Sequence, residues 1–143
     1  MTDSVQPAIT TLVPHRKPML LLDEVVERDG LRVVCRTTIR SDMVFVEDGR
    51  MPLAVAIELF AQCAAVLTSL LATKAGIRID SGALLGTREI RLLADDLKVG
   101  DVLDVHCEQT MSMGMMAHVD CALYRAGERI AEGSVHVMAG APP

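Results

Sequence analysis

A long, almost wholly apolar run from residue 52 to residue 73 constrains the fold more than any other part of the chain, and Glu58 is its only charged residue. The run exceeds the usual length of a strand and predicts a helix buried in a core. Pro52 suits the entry to that helix, and Gly76 predicts its end. A bilayer span has a similar length, but Glu58 and Gln62 would be costly in lipid, so we expect no membrane span.

Strand patterns flank this helix on both sides. Branched residues cluster in six segments, which are bounded by turn signals such as Asp29-Gly30 and Gly114. The predicted strands cover residues 19–27, 31–39, 83–93, 101–111, 115–124 and 129–138. Two strands, a long helix and four further strands predict an α+β fold in which one antiparallel sheet curls around the helix. Because one sheet covers only part of a helix that is apolar all round, we expect a dimer.

Bulk composition excludes several classes of function. A chain of 143 residues predicts one domain over residues 1–143. The formal net charge is −5 and the aromatic residues are few, so nucleic acid is not an expected partner. The four cysteines are widely spaced, without a C-x-x-C pair, which predicts buried thiols in a reducing compartment and no metal site. The N-terminus lacks a signal-peptide pattern, so we expect a cytoplasmic location.

Glu58 is the strongest candidate for a functional residue. An ionised carboxylate costs free energy away from water unless it is paired or takes up a proton. A fold that keeps one in an apolar helix therefore uses it in chemistry or satisfies it with hydrogen bonds. Gln62 lies one helical turn further on and shares the same face. For Gln62, packing and hydrogen bonding to Glu58 is the simpler interpretation.

Three segments resemble one enzyme family. Residues 12–27 (LVPHRKPMLLLDEVVE) are similar to the N-terminal segment of the hotdog-fold 3-hydroxyacyl-(acyl carrier protein) dehydratases. The helix motif of that family resembles Met51-Pro52, Ile57-Glu58 and Ala61-Gln62. Residues 82–88 (GALLGTR) resemble the subgroup associated with aryl polyene pigment biosynthesis. The resemblance implies a hotdog fold, an antiparallel sheet wrapped around one long central helix in a dimer, and no cofactor.

One departure from the family concerns the catalytic base. The dehydratases carry a histidine in a Gly-His-Phe-Pro loop before the carboxylate, and the family spacing leads back from Glu58 to Val44, followed by a matching Phe45. Leu53 also replaces the family's glycine after the proline. The resemblance therefore implies a site that keeps its carboxylate and lacks its usual histidine.

Dehydration of a 3-hydroxyacyl thioester needs a base for the α-proton and an acid for the departing β-hydroxyl. Glu58 would be the acid, because apolar surroundings favour the protonated form of a carboxyl. Backbone N–H groups at the start of the helix would bind the thioester oxygen. The expected substrate-binding residues are Phe45, Leu53, Ala54, Val55 and Gln62.

A replacement base would have to be another histidine. His15 is the best candidate, because it lies in the Pro14-His15-Arg16 segment and outside the regular strands. A structural or carrier-contact role is the alternative for this residue. The remaining histidines fall within strand patterns and are expected to be ordinary core or surface residues; they are His106, His118 and His136.

A local basic patch could receive an acidic acyl carrier protein in spite of the negative net charge. By resemblance to the family's mode of delivery, the carrier-binding residues would be Arg16, Lys17, Arg88 and Arg91, although scattered surface charges are the alternative. The substrate would arrive as a thioester of acyl carrier protein or of coenzyme A.

Three functions remain open from the sequence. The leading hypothesis is a 3-hydroxyacyl-(acyl carrier protein) dehydratase, a hydro-lyase of polyene or fatty-acid-like biosynthesis, in which His15 assists Glu58. The second is a catalytically weak hotdog subunit that pairs with an active dehydratase in a heterodimer in place of a homodimer. The third is a hotdog acyl thioesterase, in which one helix carboxylate attacks the thioester or activates water.

Overall fold

The structure is a computed structural model that describes residues 5–77 and 82–139. At its centre lies one helix, α1 (Ala56–Lys74), preceded by a short 3-10 turn at Leu53–Val55. Gly76 follows the helix with a φ of 76°. A residue with a Cβ would be strained in this left-handed conformation, which explains why α1 ends where the sequence predicts.

Eight strands accompany α1 in the described part of the chain. They are β1 (Glu24–Asp29), β2 (Arg32–Thr38), β3 (Arg50–Met51), β4 (Gly82–Leu92), β5 (Leu97–Lys98), β6 (Val102–Met113), β7 (Met116–Arg125) and β8 (Glu128–Ala139). Six of them form one antiparallel sheet in the order β1-β2-β6-β7-β8-β4, and β3 pairs with β5 separately. The sheet packs on α1 mainly through β6 and β8. The predicted antiparallel sheet around one central helix is confirmed.

The helix forms the middle of the hydrophobic core. Phe60, Val66 and Leu67 are almost completely buried, and truncating a buried phenylalanine to alanine typically costs about 3–5 kcal/mol. By length and composition alone, the segment Leu53–Lys74 could cross a membrane. More than half of its most apolar 18 residues is buried inside the protein, however. Burial of this kind is typical of a core helix.

The first strand begins later than predicted. The pattern predicts a strand over residues 19–27, whereas β1 starts at Glu24. The backbone before it bonds to side chains: the Leu21 N–H donates to Oε1 of Gln62 over 2.9 Å, and the Leu21 carbonyl accepts from the Thr37 hydroxyl over 2.6 Å. The prediction is therefore wrong for residues 19–23, because the Leu21 backbone bonds to two side chains and not to the backbone of a neighbouring strand.

The four cysteines are free and buried, as the sequence predicts. Cys107 on β6 lies directly opposite Cys121 on β7, and their sulfur atoms are 3.4 Å apart. Burial raises the pKa of the Cys107 thiol. A thiol held in this state is a small apolar core group, not a nucleophile.

Strand β4 forms one edge of the sheet. Leu84, Leu85 and Leu92 on this strand are large apolar residues that remain exposed. An edge strand of eleven residues with exposed leucines is unusual in a protein that has no neighbour along that edge.

The pairing of β4 with β8 contains a close backbone approach. The register shifts between Thr87 and Ile90. At this irregularity the carbonyl of Glu89 and the side chain of Ile90 approach Gly133 so closely that a Cβ at position 133 would collide with both. Only a residue without a side chain allows β4 to lie against β8 here.

Candidate active site

The pocket that contains Glu58 lies between the N-terminal arm, α1 and the strands β4 and β8, and has a volume of about 180 Å³. The arm contributes Leu12, Val13, Pro14 and His15; the helix contributes Glu58, Ala61, Ala65, Thr68 and Ser69; the strands contribute Gly82, Ala83, Leu84, Val137, Met138 and Ala139. The first four helix residues recur at intervals of three or four, and Ser69 directly follows Thr68, so all five share one face of α1. Most of the wall is apolar, and the polar groups are few.

Glu58 lies on the first turn of α1 and is half-buried. Its Oε1 accepts a hydrogen bond from Nε2 of Gln62 over 3.0 Å. Gln62 is completely buried and uses the same nitrogen to reach the carbonyl of Met19 over 2.7 Å. The amide therefore holds one carboxylate oxygen, while Glu58 still lines the pocket with the rest of its side chain.

His15 lines the same pocket. Its Nδ1 is buried and has no hydrogen-bond partner among the described residues. A buried ring nitrogen is normally paired, because its lost hydration is otherwise not replaced. A buried nitrogen without such a partner, in a residue that lines a pocket, is a candidate for a functional role.

Arg16 holds the arm that carries His15. Its guanidinium donates to the carbonyls of Val13 (2.9 Å), His15 (2.7 Å) and Thr10 (3.1 Å). Both terminal nitrogens of the Arg16 guanidinium therefore donate hydrogen bonds to the backbone of the arm. The structure gives Arg16 a local role in shaping the arm beside its predicted role in carrier binding.

The start of the helix is occupied by protein acceptors. The N–H of Leu53 donates to Oδ1 of Asp96 over 3.0 Å, and the N–H of Val55 donates to the carbonyl of Pro52 over 3.0 Å. Asp96 acts as a capping carboxylate from a distant segment, favoured by the helix dipole. A thioester oxygen would therefore have to displace Asp96 to reach the Leu53 N–H.

The other predicted substrate-binding residues lie away from this pocket. Phe45 is 38% exposed on the loop before β3, next to Val44, which is 46% exposed. Leu53 is buried, Ala54 is exposed and Val55 is half-buried. None of these residues is part of the lining described above, so the structure brings together Glu58 and His15 but does not bring Phe45 or the helix-start residues to them.

The four predicted carrier-binding cations belong to two different parts of the molecule. Arg16 and Lys17 lie on the arm, whereas Arg88 and Arg91 lie on β4. Lys17 lines one surface depression, and the two arginines of β4 line another. Arg91 also lies 3.9 Å from a carboxylate oxygen of Glu132, which offsets part of its charge.

Several pocket residues were not predicted from the sequence. Thr68 and Ser69 line the far end of the pocket, and Ala61 and Ala65 line its middle. The available signal was the repeat of small residues at helical spacing after Glu58, on the face that carries no large side chain. The described residues contain no group of three or more metal-ligating side chains.

Solved structures share this fold at low sequence identity. The dehydratase heterocomplex ApeI:P from Xenorhabdus doucetiae matches with a TM-score of 0.89 and 24% identity, over 97% of this chain and 93% of that one. A hypothetical thioesterase with coenzyme A from Streptococcus pneumoniae matches with a TM-score of 0.65 and 17% identity, over 81% and 86% of the two chains. The uncharacterized protein PH1136 from Pyrococcus horikoshii matches with a TM-score of 0.67 and 17% identity, over 96% and 94%. No curated protein matches the chain in sequence.

The antiparallel sheet around α1, together with these likenesses, defines a hotdog-fold protein. A family model described as ApeP-like, ApeP dehydratase, matches residues 7–142, and the chain belongs to this family. The resemblance to the hotdog dehydratases, and to their aryl polyene subgroup, is therefore confirmed.

Proposed function

We propose that this chain is the carboxylate-bearing subunit of a 3-hydroxyacyl thioester dehydratase, which acts on carrier-bound chains in polyene or fatty-acid-like biosynthesis. The observation that carries the proposal is that Glu58 and His15 line one largely apolar pocket, and that the buried Nδ1 of His15 has no partner among the described residues. Membership of the ApeP-like dehydratase family supports the reaction class. An apolar cleft with a few convergent polar groups is the usual form of a small-molecule site.

In the proposed reaction a base removes a proton from C2 of the substrate, and the electron pair of that C–H bond forms the C2–C3 double bond. The C3–O bond breaks, and the hydroxyl leaves as water after accepting a proton from Glu58. The products are a 2-enoyl thioester and water. The proton taken by the base then returns to Glu58 through solvent, which restores the site. A positioned acid or base typically contributes about 10²–10⁴-fold to such a step.

The base has two possible sources, and each has a supporting observation. His15 is the source within the chain, because it lines the pocket and its buried Nδ1 has no partner among the described residues. A second hotdog subunit is the other source, since Val44 occupies the position at which the related dehydratases carry histidine. The ApeI:P structure is a heterocomplex, and the exposed leucines of the edge strand β4 would suit a neighbouring sheet here.

The experiment measures conversion of a 3-hydroxyacyl carrier protein to its 2-enoyl form, with the purified chain alone and after addition of a second hotdog dehydratase subunit. We expect turnover in at least one of these mixtures and its loss in Glu58→Gln, which keeps the size of the side chain and removes the acid. Glu108→Gln, an exposed change on β6, is the matched control and should retain activity. Full activity of Glu58→Gln would overturn the proposal.

A thioesterase function is the second candidate, favoured by the likeness to the hypothetical thioesterase from Streptococcus pneumoniae. A single carboxylate can activate water or attack a thioester directly. The same assay separates the two reactions, because hydrolysis releases a free thiol without forming an enoyl product. Carrier protein and coenzyme A thioesters of the same acyl group, compared by kcat/KM, identify the preferred carrier.

A further inference from the structure

Thr68 carries a second buried polar atom that has no partner. Its Oγ1 is inaccessible to solvent and makes no hydrogen bond to the described residues. Thr68 lines the same pocket as Glu58, ten residues further along α1. This separation corresponds to a rise of about 15 Å along the helix axis.

An unpaired hydroxyl at this position calls for an explanation. A threonine within a helix can donate to the carbonyl four residues earlier, here that of Ala64, and so satisfy itself locally. Thr68 does not make that bond. Buried hydroxyl groups without a partner are uncommon in native structures, and each calls for an explanation such as a functional role or a bound water or ion.

The pocket between the two polar ends has room for an elongated ligand. Ala61 and Ala65 are the helix residues between Glu58 and Thr68 that line it, and neither fills the space between them. The volume of about 180 Å³ exceeds that of the engineered apolar cavity of about 150 Å³ that binds benzene. Ser69, next to Thr68, adds a second hydroxyl residue at the far end.

We propose that Thr68 is a specificity-determining residue, whose hydroxyl hydrogen-bonds to an oxygen-bearing group carried by the acyl tail far from the thioester. This inference rests on the proposed function, in which the reacting end of the substrate lies at Glu58. The preferred substrates are then acyl chains with a remote hydroxyl or carbonyl oxygen, and plain alkyl chains of equal length bind more weakly. Discrimination of this kind follows when a site contains a polar group that an alkyl chain leaves unpaired.

The test uses binding, so that it does not depend on turnover. The probes are pantetheine amides of ω-hydroxyacyl chains and of their unsubstituted alkyl twins, in lengths that bracket the rise of about 15 Å between the two ends. Isothermal titration calorimetry with the full chain should show, at one length, about five-fold tighter binding of the hydroxylated probe, the factor that corresponds to one neutral hydrogen bond of about 1 kcal/mol.

Thr68→Val replaces the hydroxyl with a methyl group of similar shape. It should abolish the preference while leaving the affinity for the alkyl probe unchanged or slightly higher. Thr73→Val, an exposed change on the same helix, is the matched control and should keep the preference. Thermal unfolding of both variants checks that they remain folded, and Thr68→Ser, which restores a hydroxyl, should restore the preference if the valine variant is impaired.

The outcomes separate this inference from the proposed function. Equal binding of the two probes at every length, or a preference that survives in Thr68→Val, overturns the role of Thr68 and leaves the dehydratase proposal standing. Failure of both probes to bind, with the second hotdog subunit present or absent, overturns the acyl pocket and this inference with it.

Discussion

The Gln62 side chain connects the carboxylate of Glu58 to the N-terminal arm. Its Nε2 lies 3.0 Å from Oε1 of Glu58 and 2.7 Å from the carbonyl of Met19, and its Oε1 accepts from the N–H of Leu21 over 2.9 Å. The Gln62 amide is completely buried, and both its nitrogen and its oxygen make hydrogen bonds. Gln62 is therefore a positioning residue, which fixes one oxygen of the candidate acid and the path of the arm at the same time.

Gln62→Leu should destabilise the protein. The change leaves the buried N–H of Leu21 without its acceptor, at a cost of about 1–3 kcal/mol, and removes the bonds to Met19 and Glu58 as well. We expect the free energy of unfolding in urea to fall by at least about 2 kcal/mol. Gln109→Leu, on β6, is the control and should have a smaller effect; equal losses in the two variants would contradict the assigned role.

His15→Gln should lower kcat/KM for the 3-hydroxyacyl carrier substrate by about 10²–10⁴-fold if His15 is the base. His118→Gln, on β7, is the control, because His118 does not line the pocket. Unchanged activity of His15→Gln in the presence of a second hotdog subunit would show that the base comes from that subunit.

Arg16→Ala and Lys17→Ala should separate arm structure from carrier binding. Arg16 holds the carbonyls of Thr10 and Val13, so its loss should loosen the arm and reduce turnover even of a small pantetheine thioester. Lys17 is exposed and should affect only the KM for the whole carrier protein. Equal behaviour of the two variants on the small substrate would argue against the structural role of Arg16.

Gly133→Ala should destabilise the junction of β4 and β8. The added methyl group would collide with the backbone of Glu89 and the side chain of Ile90, and overpacking of this kind typically costs about 1–3 kcal/mol. Gly86→Ala, on the neighbouring strand β4, is the matched control, since a Cβ at that position meets open space. The comparison requires only thermal or urea unfolding, and a stable Gly133→Ala variant would show that β4 can move away from β8 at little cost.

The sequence predicts the elements whose signals are local. The helix from residue 56 to residue 74 follows from its apolar run and from Gly76, and most strands follow from their branched residues and turns. The path of residues 19–23 is not predictable in this way, because it depends on Gln62 and Thr37, which are remote in sequence. The Asp96 cap at Leu53 depends on a contact between segments 43 residues apart, which no local pattern reveals.

Some residues of the candidate site are likewise predictable from the sequence, and others are found only in the structure. Glu58 is visible in the sequence as a lone charge in an apolar helix, and His15 is visible as a histidine outside the regular strands. Thr68 is an ordinary polar residue in the helix pattern, and it gains meaning only from the solvent-inaccessible position of its Oγ1 in the pocket. The sequence shows which residue types are present, whereas the cavity depends on how the arm, helix and strands pack.

The outer side of β4 has a consequence for how the protein is made. The outer edge of β4 presents backbone donors and acceptors beside exposed leucines, which is a template for unwanted strand addition. If the proposed second hotdog subunit covers this edge, soluble yield should rise when the two subunits are made together, and the chain made alone should aggregate more readily.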